Sequence, residues 1–394
     1  MLETVKKTVR TVVLIACVAL SAFAQDQATR SLAAAIDRAI AQGHTDQAQH
    51  ALAELLARPQ VELEVLLETG AKLAERELFE PARAVFARGV KDYPRNFEMH
   101  YNLALADIAL RRFEEASAAL EGLRELSKEQ RLAREYLKGK IYDATGQLAL
   151  AERSFQAALT GAPEQENYAL DLGLFYVRQK LYAKAVETLQ AGAKHHPESV
   201  YLLLGLGLAQ LFGDDPPRAV ATCRKILALE PNFGPAQLLL VAGYYMNGEN
   251  ENCVKETAAF IARPGAPPYL YYLHASAMLK LNSKEYAAML RDLEASNRAI
   301  PGCSFCYFAL SKVHQEMGDE RAAIADLETL VEKVDPQFSQ GWYRLTTLYQ
   351  RAGRQADAAR ALGKFRAIKT AETDRETEYL RKLFLSAIGG EANR

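Results

Sequence analysis

Two cysteines three residues apart, Cys303 and Cys306, are the residues of this chain whose type and spacing point most directly to chemistry. They follow Pro301-Gly302, a pair that ends one element and opens the next. At the start of a helix, a spacing of three puts both sulfurs on one side, within the Cα separation that a disulfide tolerates. A helix N-terminus also lowers a thiol pKa. Three uses are open: a structural disulfide in an oxidising compartment, two packing thiols, or a redox or metal-binding pair. No His follows the pair, so haem attachment is excluded, and no second pair stands at zinc-site spacing. Cys223 and Cys253 occupy apolar helical slots and read as buried thiols.

The seven histidines make no catalytic case. His195-His196 ends a helix before Pro197, where a cation complements the helix dipole. His100, His274 and His314 fall near packing slots. The sequence holds no nucleophile with a matching base, no Gly-rich phosphate loop and no paired metal motif. It gives no support for enzymatic activity, a cofactor or a metal.

The elements that position these residues repeat at a period of about 34 residues, the length of a solenoid unit. Ala82, Ala116, Ala151, Ala185 and Ala219 share one slot, followed four residues later by Phe86, Leu120, Phe155, Leu189 and Cys223. Within Tyr136 to Pro163, Gly139 and Tyr142 sit on a first amphipathic stretch and Gly146 breaks it. Ala151, Phe155 and Ala158 then line a second at helical spacing. Small residues allow two helices to approach closely, bulky ones fill the space between hairpins, and Pro163 ends the unit.

This pattern resembles the tetratricopeptide repeat. Leu172, Gly173, Tyr176, Ala185, Leu189, Gly192 and Pro197 fill one copy, and Leu206, Gly207, Ala219, Ile226 and Pro231 the next. Trp342, Leu345, Tyr349, Ala358 and Leu362 fill a late copy with the only Trp of the chain, and Gly70, Leu73, Ala82, Phe86, Gly89 and Pro94 an early one. The resemblance implies an all-α fold: a right-handed α-solenoid superhelix of about ten helix-turn-helix hairpins over residues 25–369. Leu32, Ile36, Ala48, Leu52 and Leu55 suggest a first hairpin without the usual Gly, and either Ala287 or Ala288 can take the Ala slot between Pro268 and Pro301. After Thr370 the repeat gives way to a single apolar stripe, Leu380, Leu383, Phe384, Ala387 and Ile388. It reads as a capping helix and tail over 370–394.

The first 24 residues read as a signal peptide. Lys6, Lys7 and Arg10 precede an apolar run from Thr11 to Leu20, and Ala22-Phe23-Ala24 suits a signal peptidase, leaving Gln25 as the new N-terminus. Leu14-Ile15-Ala16-Cys17 also looks like a lipobox, which would leave Cys17 lipidated at a membrane. The expectation is export to the periplasm or beyond, with no membrane span in the mature chain. With 48 basic and 49 acidic residues the net charge is −1, so no long-range field favours nucleic acid or an anionic membrane.

A stacked array of this kind offers a surface to a partner rather than a pocket to a substrate. In the tetratricopeptide family the first helices line a concave face. The slots that point into it are here apolar in the middle copies, with Tyr201, Leu204, Leu208, Leu211, Phe212, Leu238, Tyr245, Met246, Tyr269 and Tyr272. Late copies return to polarity with Lys312, Gln315, Gln350 and Arg351. The apolar middle is either a groove for an amphipathic helix or peptide of a partner, or side chains hidden by neighbouring hairpins. The Lys, Asn and Arg clamp by which some members hold a chaperone's C-terminal carboxylate is not present in these slots. The expected function is a noncatalytic protein-protein interaction scaffold of the bacterial cell envelope. The alternatives are a thiol-disulfide role for Cys303 and Cys306 and a lipid-anchored envelope assembly factor.

Overall fold

The computed structural model describes residues 27–263, 265–368 and 381. The expected signal peptide and Cys17 lie outside these residues, as does, apart from Arg381, the expected cap and tail at 370–394. Every regular element among the described residues is helical, and the helices gather into two compact units that divide after Pro163.

The first unit holds four antiparallel hairpins. They are α1 (27–41) with α2 (Thr45–Ala57), α3 (Leu63–Glu75) with α4 (Phe79–Asp92), α5 (Phe97–Ala109) with α6 (Phe113–Glu121), and α7 (Lys128–Ala144) with α8 (Leu148–Gly161). The second unit holds six: α9 (Glu166–Arg178) with α10 (Tyr182–His195), α11 (Val200–Phe212) with α12 (Pro216–Leu229), α13 (Gly234–Met246) with α14 (Asn250–Ile261), α15 (Pro268–Lys280) with α16 (Tyr286–Ala299), α17 (Ser304–Glu316) with α18 (Glu320–Thr329), and α19 (Ser339–Arg351) with α20 (Gln355–Ile368). A π-helical turn, Leu330–Val334, extends α18. Each unit is thus an all-α solenoid of helical hairpins.

Local sequence explains each hairpin. On α8 the buried residues Ala151, Ser154, Phe155 and Ala158 recur at intervals of three and four, one face of a helix. That face meets α7 at Gly139, where a Cβ would stand 2.7 Å from Phe155 Cδ1, so only glycine lets the ring lie against the helix backbone. Between the helices every hairpin turns through one residue in the left-handed region. Five times it is glycine, as at Gly146 (φ 76°), and five times it is not, as at Lys180 (φ 59°). Pro216 and Pro268 open α12 and α15, where a missing N–H costs nothing.

The hairpin of α15 and α16 departs from the expected register. Neither Ala287 nor Ala288 is buried; Met289, Leu293 and Ser296 are. The turn from Leu281 to Glu285 is two residues longer than the one joining α9 to α10, which shifts the packing face of α16 by two positions. In the first hairpin Ile36, Ala48 and Leu55 are buried, with Leu32 and Leu52 packed partly against them, and they hold the core without a glycine contact.

In the second unit the first helices α9, α11, α13, α15 and α17 each touch the next, forming one layer. The second helices α10, α12, α14 and α16 each pack against their own first helix and the first helix of the next hairpin. Helix α11 lies deep in this arrangement: all of its residues but Tyr201 are buried, which suits a helix apolar all round.

Candidate functional site

Cys303 and Cys306 are joined in a disulfide, and both are buried, at 4% and 0% exposure. Cys303 caps α17: its sulfur accepts the Cys306 backbone N–H at 3.2 Å. Ser296 of α16 donates its hydroxyl toward Cys306 Sγ at 3.4 Å, since a disulfide sulfur can only accept. The pair therefore clips the first turn of α17 beside α16, with neither sulfur open to a solvent nucleophile. Cys223 and Cys253 are free thiols at 0% exposure. Burial pushes both pKa values up, that of Cys253 to about 12. Thiolates are the reactive form, so neither should react while the chain is folded. Incubating the native protein with a thiol reagent should therefore leave Cys223 and Cys253 unlabelled, and both should label once guanidinium unfolds it. Fast labelling of either in the native state would contradict this burial.

Four of the seven histidines make contacts within the helical array. His274 Nδ1 lies 2.7 Å from Asp292 and His314 Nδ1 lies 2.7 Å from Asp326, each pairing the two helices of one hairpin. Burial raises the Asp326 pKa, against the lowering effect of His314. His100 contacts the carbonyls of Pro94 and Ala119, and His196 that of Glu164. Among the described residues no three His, Cys, Asp or Glu side chains come together as metal ligands.

The apolar middle of the second unit is mostly interior. Leu204, Leu208 and Leu211 are 0–1% exposed, and Phe212, Leu238, Tyr245, Tyr269 and Tyr272 are buried as well; Tyr201 and Met246 are half-buried. Neighbouring helices cover them. Phe212 lies against Tyr182, Tyr201 meets Phe233 edge-on, and Tyr272 continues through Phe305 to Phe338. Lys280 Nζ sits 3.4 Å from the centre of the Tyr245 ring. As a groove, this region would correct to packed core: Leu204, Leu208 and Leu211 have no surface to give, because α9 and α13 flank α11 on both sides.

One slot of the first helices shows where the layer opens. Leu170, Leu204, Leu238 and Tyr272 are 9%, 0%, 6% and 5% exposed; Phe308 is half-buried, and Tyr343 is 55% exposed. The accessible part of the layer is therefore on α17 and α19. Lys312 Nζ stands 4.4 Å from the centre of the Phe308 ring, and the Arg344 guanidinium carbon stands 5.6 Å from it. Arg344 donates to Gln315 Oε1 at 2.6 Å, and burial pulls its pKa down from the ordinary value. Tyr343 packs on Phe365 of α20 at 5.2 Å between ring centres. Sequence reasoning named Lys312 and Gln315 but passed over Phe308, Tyr343 and Arg344. The signal was there: continuing the slot of Leu170, Leu204 and Leu238 along the chain reaches Phe308 and Tyr343.

No helix among the described residues is long and apolar enough to cross a membrane. A family model described as tetratricopeptide repeat matches residues 33–97, 72–130, 136–194 and 170–232. The BBSome complex member BBS4 of Bos taurus is 27% identical over 277 residues, 70% of this chain and 52% of that protein, so the chain spans about half of that relative's length. The apo form of RapI shares the fold at a TM-score of 0.58 with 12% identity, over 79% of this chain and 99% of that one. A tetratricopeptide repeat protein of Parabacteroides merdae is 14% identical, over 73% of this chain and 99% of that one, with a TM-score of 0.45. Helical hairpins in register, small residues at their contacts and matches spread over both units lead to one statement: the chain belongs to the tetratricopeptide repeat family, whose repeats form protein-protein interaction scaffolds.

Proposed function

We propose that the chain is a noncatalytic scaffold that holds a segment of a partner protein against the first helices α17 and α19. One observation carries this: a slot closed in the first four hairpins of the second unit opens at half-buried Phe308, with Arg344 against its ring, and at exposed Tyr343. Aromatic and Arg side chains dominate binding energy where partners meet. A groove centred on Leu204, Leu208 and Leu211 would require those side chains to leave the interior.

The proposed place of work is the bacterial envelope, after export. Its support is the N-terminal pattern of Lys6, Lys7 and Arg10, the apolar run and Ala22-Phe23-Ala24. The disulfide is also at home in an oxidising compartment. Anchoring through a lipidated Cys17 is the alternative, and the mass of the mature N-terminus separates an acylated Cys17 from Gln25. A redox role for Cys303 and Cys306 has less support, because both sulfurs are buried.

A photo-crosslinking residue placed at Tyr343 tests the scaffold. It should capture a discrete protein in cells, whereas the same residue at exposed Lys225 on the second helix α12 should not. Equal capture at both positions, or none at Tyr343, would remove the assignment.

A further inference from the structure

Arg344 is a half-buried cation with no described acid at ion-pair distance. Its Nη1 donates to a neutral amide, Gln315 Oε1, and its guanidinium carbon lies over the Phe308 ring. Elsewhere on the same hairpin acids are supplied: Arg351 has Glu320 at 3.8 Å, and Arg354 has Glu328 at 3.2 Å and Asp357 at 2.7 Å. The acid whose charge Arg344 feels is Glu316, which is exposed and lies 3.6 Å from Lys284. A guanidinium carries five N–H donors in a planar fork that matches a carboxylate. Partial burial strengthens such a contact relative to the same contact in open water.

A second cation, Lys312, approaches the same Phe308 ring. Lys312 and Arg344 come from successive first helices and approach one Phe308 ring, so they stand no farther apart than the sum of their distances to it. Tyr343, next to Arg344 in the chain, is exposed, as are Gln340 and Gln350 of the same helix.

We infer that Arg344 receives a side-chain carboxylate of an acidic, aromatic-containing segment of the partner protein, with Phe308 and Tyr343 packing its apolar residues. This rests on the scaffold reading above and gives that partner a chemistry.

The probe is a fluorescein-labelled 12-residue peptide of repeating Glu-Phe-Leu, acetylated and amidated so that it carries no terminal carboxylate. Fluorescence anisotropy with the full chain should show saturable binding that weakens as salt rises. A Gln-for-Glu peptide should bind at least tenfold more weakly. Arg344→Met should weaken the Glu peptide by at least tenfold while leaving the circular dichroism melting temperature unchanged or raised, because a half-buried cation with no described acid at ion-pair distance adds little to the fold. Equal binding of the two peptides, no binding of the Glu peptide to the wild-type chain, or undiminished binding by Arg344→Met would each overturn the inference. One more variant tests a rival occupant, the acids Glu372, Asp374, Glu376 and Glu378 that follow α20 in the sequence. If changing all four to Gln is needed before the Glu peptide binds, the carboxylates come from this chain and the partner assignment falls. Crosslinking at Tyr343 keeps the two proposals apart. A protein still captured there when the peptide arm fails overturns only the acidic chemistry, and a lost crosslink overturns the scaffold.

Discussion

Replacing Gly139 with Val is expected to destabilise the first unit by about 3 kcal/mol, the upper part of the range for forcing extra atoms into a packed core. The new Cβ would stand 2.7 Å from Phe155 Cδ1 and 2.8 Å from Cε1, inside the contact limit. Phe155 is 2% exposed and a rigid ring, so it cannot swing aside as the end of a flexible chain would. The two helices must part instead, and the packing between α7 and α8 is lost with their separation. The better helix propensity of Val over Gly returns only a few tenths of a kcal/mol. In an array stabilised by nearest neighbours the damage stays local. Urea unfolding should therefore split: far-UV circular dichroism should show an early loss, while the fluorescence of Trp342, which lies in the second unit, should keep its wild-type midpoint. Coincident, unshifted transitions would show that the glycine is not required.

The second large effect is at Arg83, whose Nε bonds Asp107 Oδ1 at 2.5 Å across α4 and α5. The Asp107 side chain is 1% exposed, and Arg83→Met leaves that carboxylate buried without its partner. Removing one partner of a buried pair costs about 3–5 kcal/mol. The sign of the pH dependence follows from the carboxyl itself. Burial raises the Asp107 pKa above its ordinary value, and the hydrogen bond and charge of Arg83 oppose that rise. An acid whose folded pKa is raised binds its proton more readily folded than unfolded. Its contribution is therefore greatest in acid and falls as pH climbs through the folded pKa. Without Arg83 the rise is larger, so the deficit of Arg83→Met should be largest at neutral pH and shrink as the solution is acidified. Urea titrations at pH 7 and at about pH 4.5 measure it, and Asp107→Asn in the same background should recover much of the loss at pH 7. A deficit independent of pH would assign the cost to lost packing rather than to the stranded charge.

The fold was legible because its signals are local. Ala151, Phe155 and Gly139 announce a hairpin from spacing alone, since close approach and filling are decided within one repeat. The packing face of α16 was not, because two extra residues in the turn leave no trace in the Ala pattern that could say which way it shifts. The candidate site was legible only in part. Periodicity told which helices form the first layer, yet it could not tell that Leu204 is closed over while Tyr343 in the same slot is open. Exposure in a solenoid depends on what the neighbouring hairpins bring, as α9 and α13 do for α11. Arg344 was missed for a related reason. Its significance lies in what does not stand beside it, and an absent acid is visible only in three dimensions.

The closing of the first layer before α17 also limits the size of what it can read. Packed helix axes lie about 8–10 Å apart, and an extended chain advances about 3.3 Å per residue. Two adjacent first helices thus register only a handful of residues. If the partner docks there as proposed, recognition on that scale would be of a short linear motif. Such a motif can recur in unrelated proteins, exchanges quickly and is easily gained or lost by a few substitutions. On the proposed reading, a surface so confined would suit interchangeable clients better than one permanent subunit.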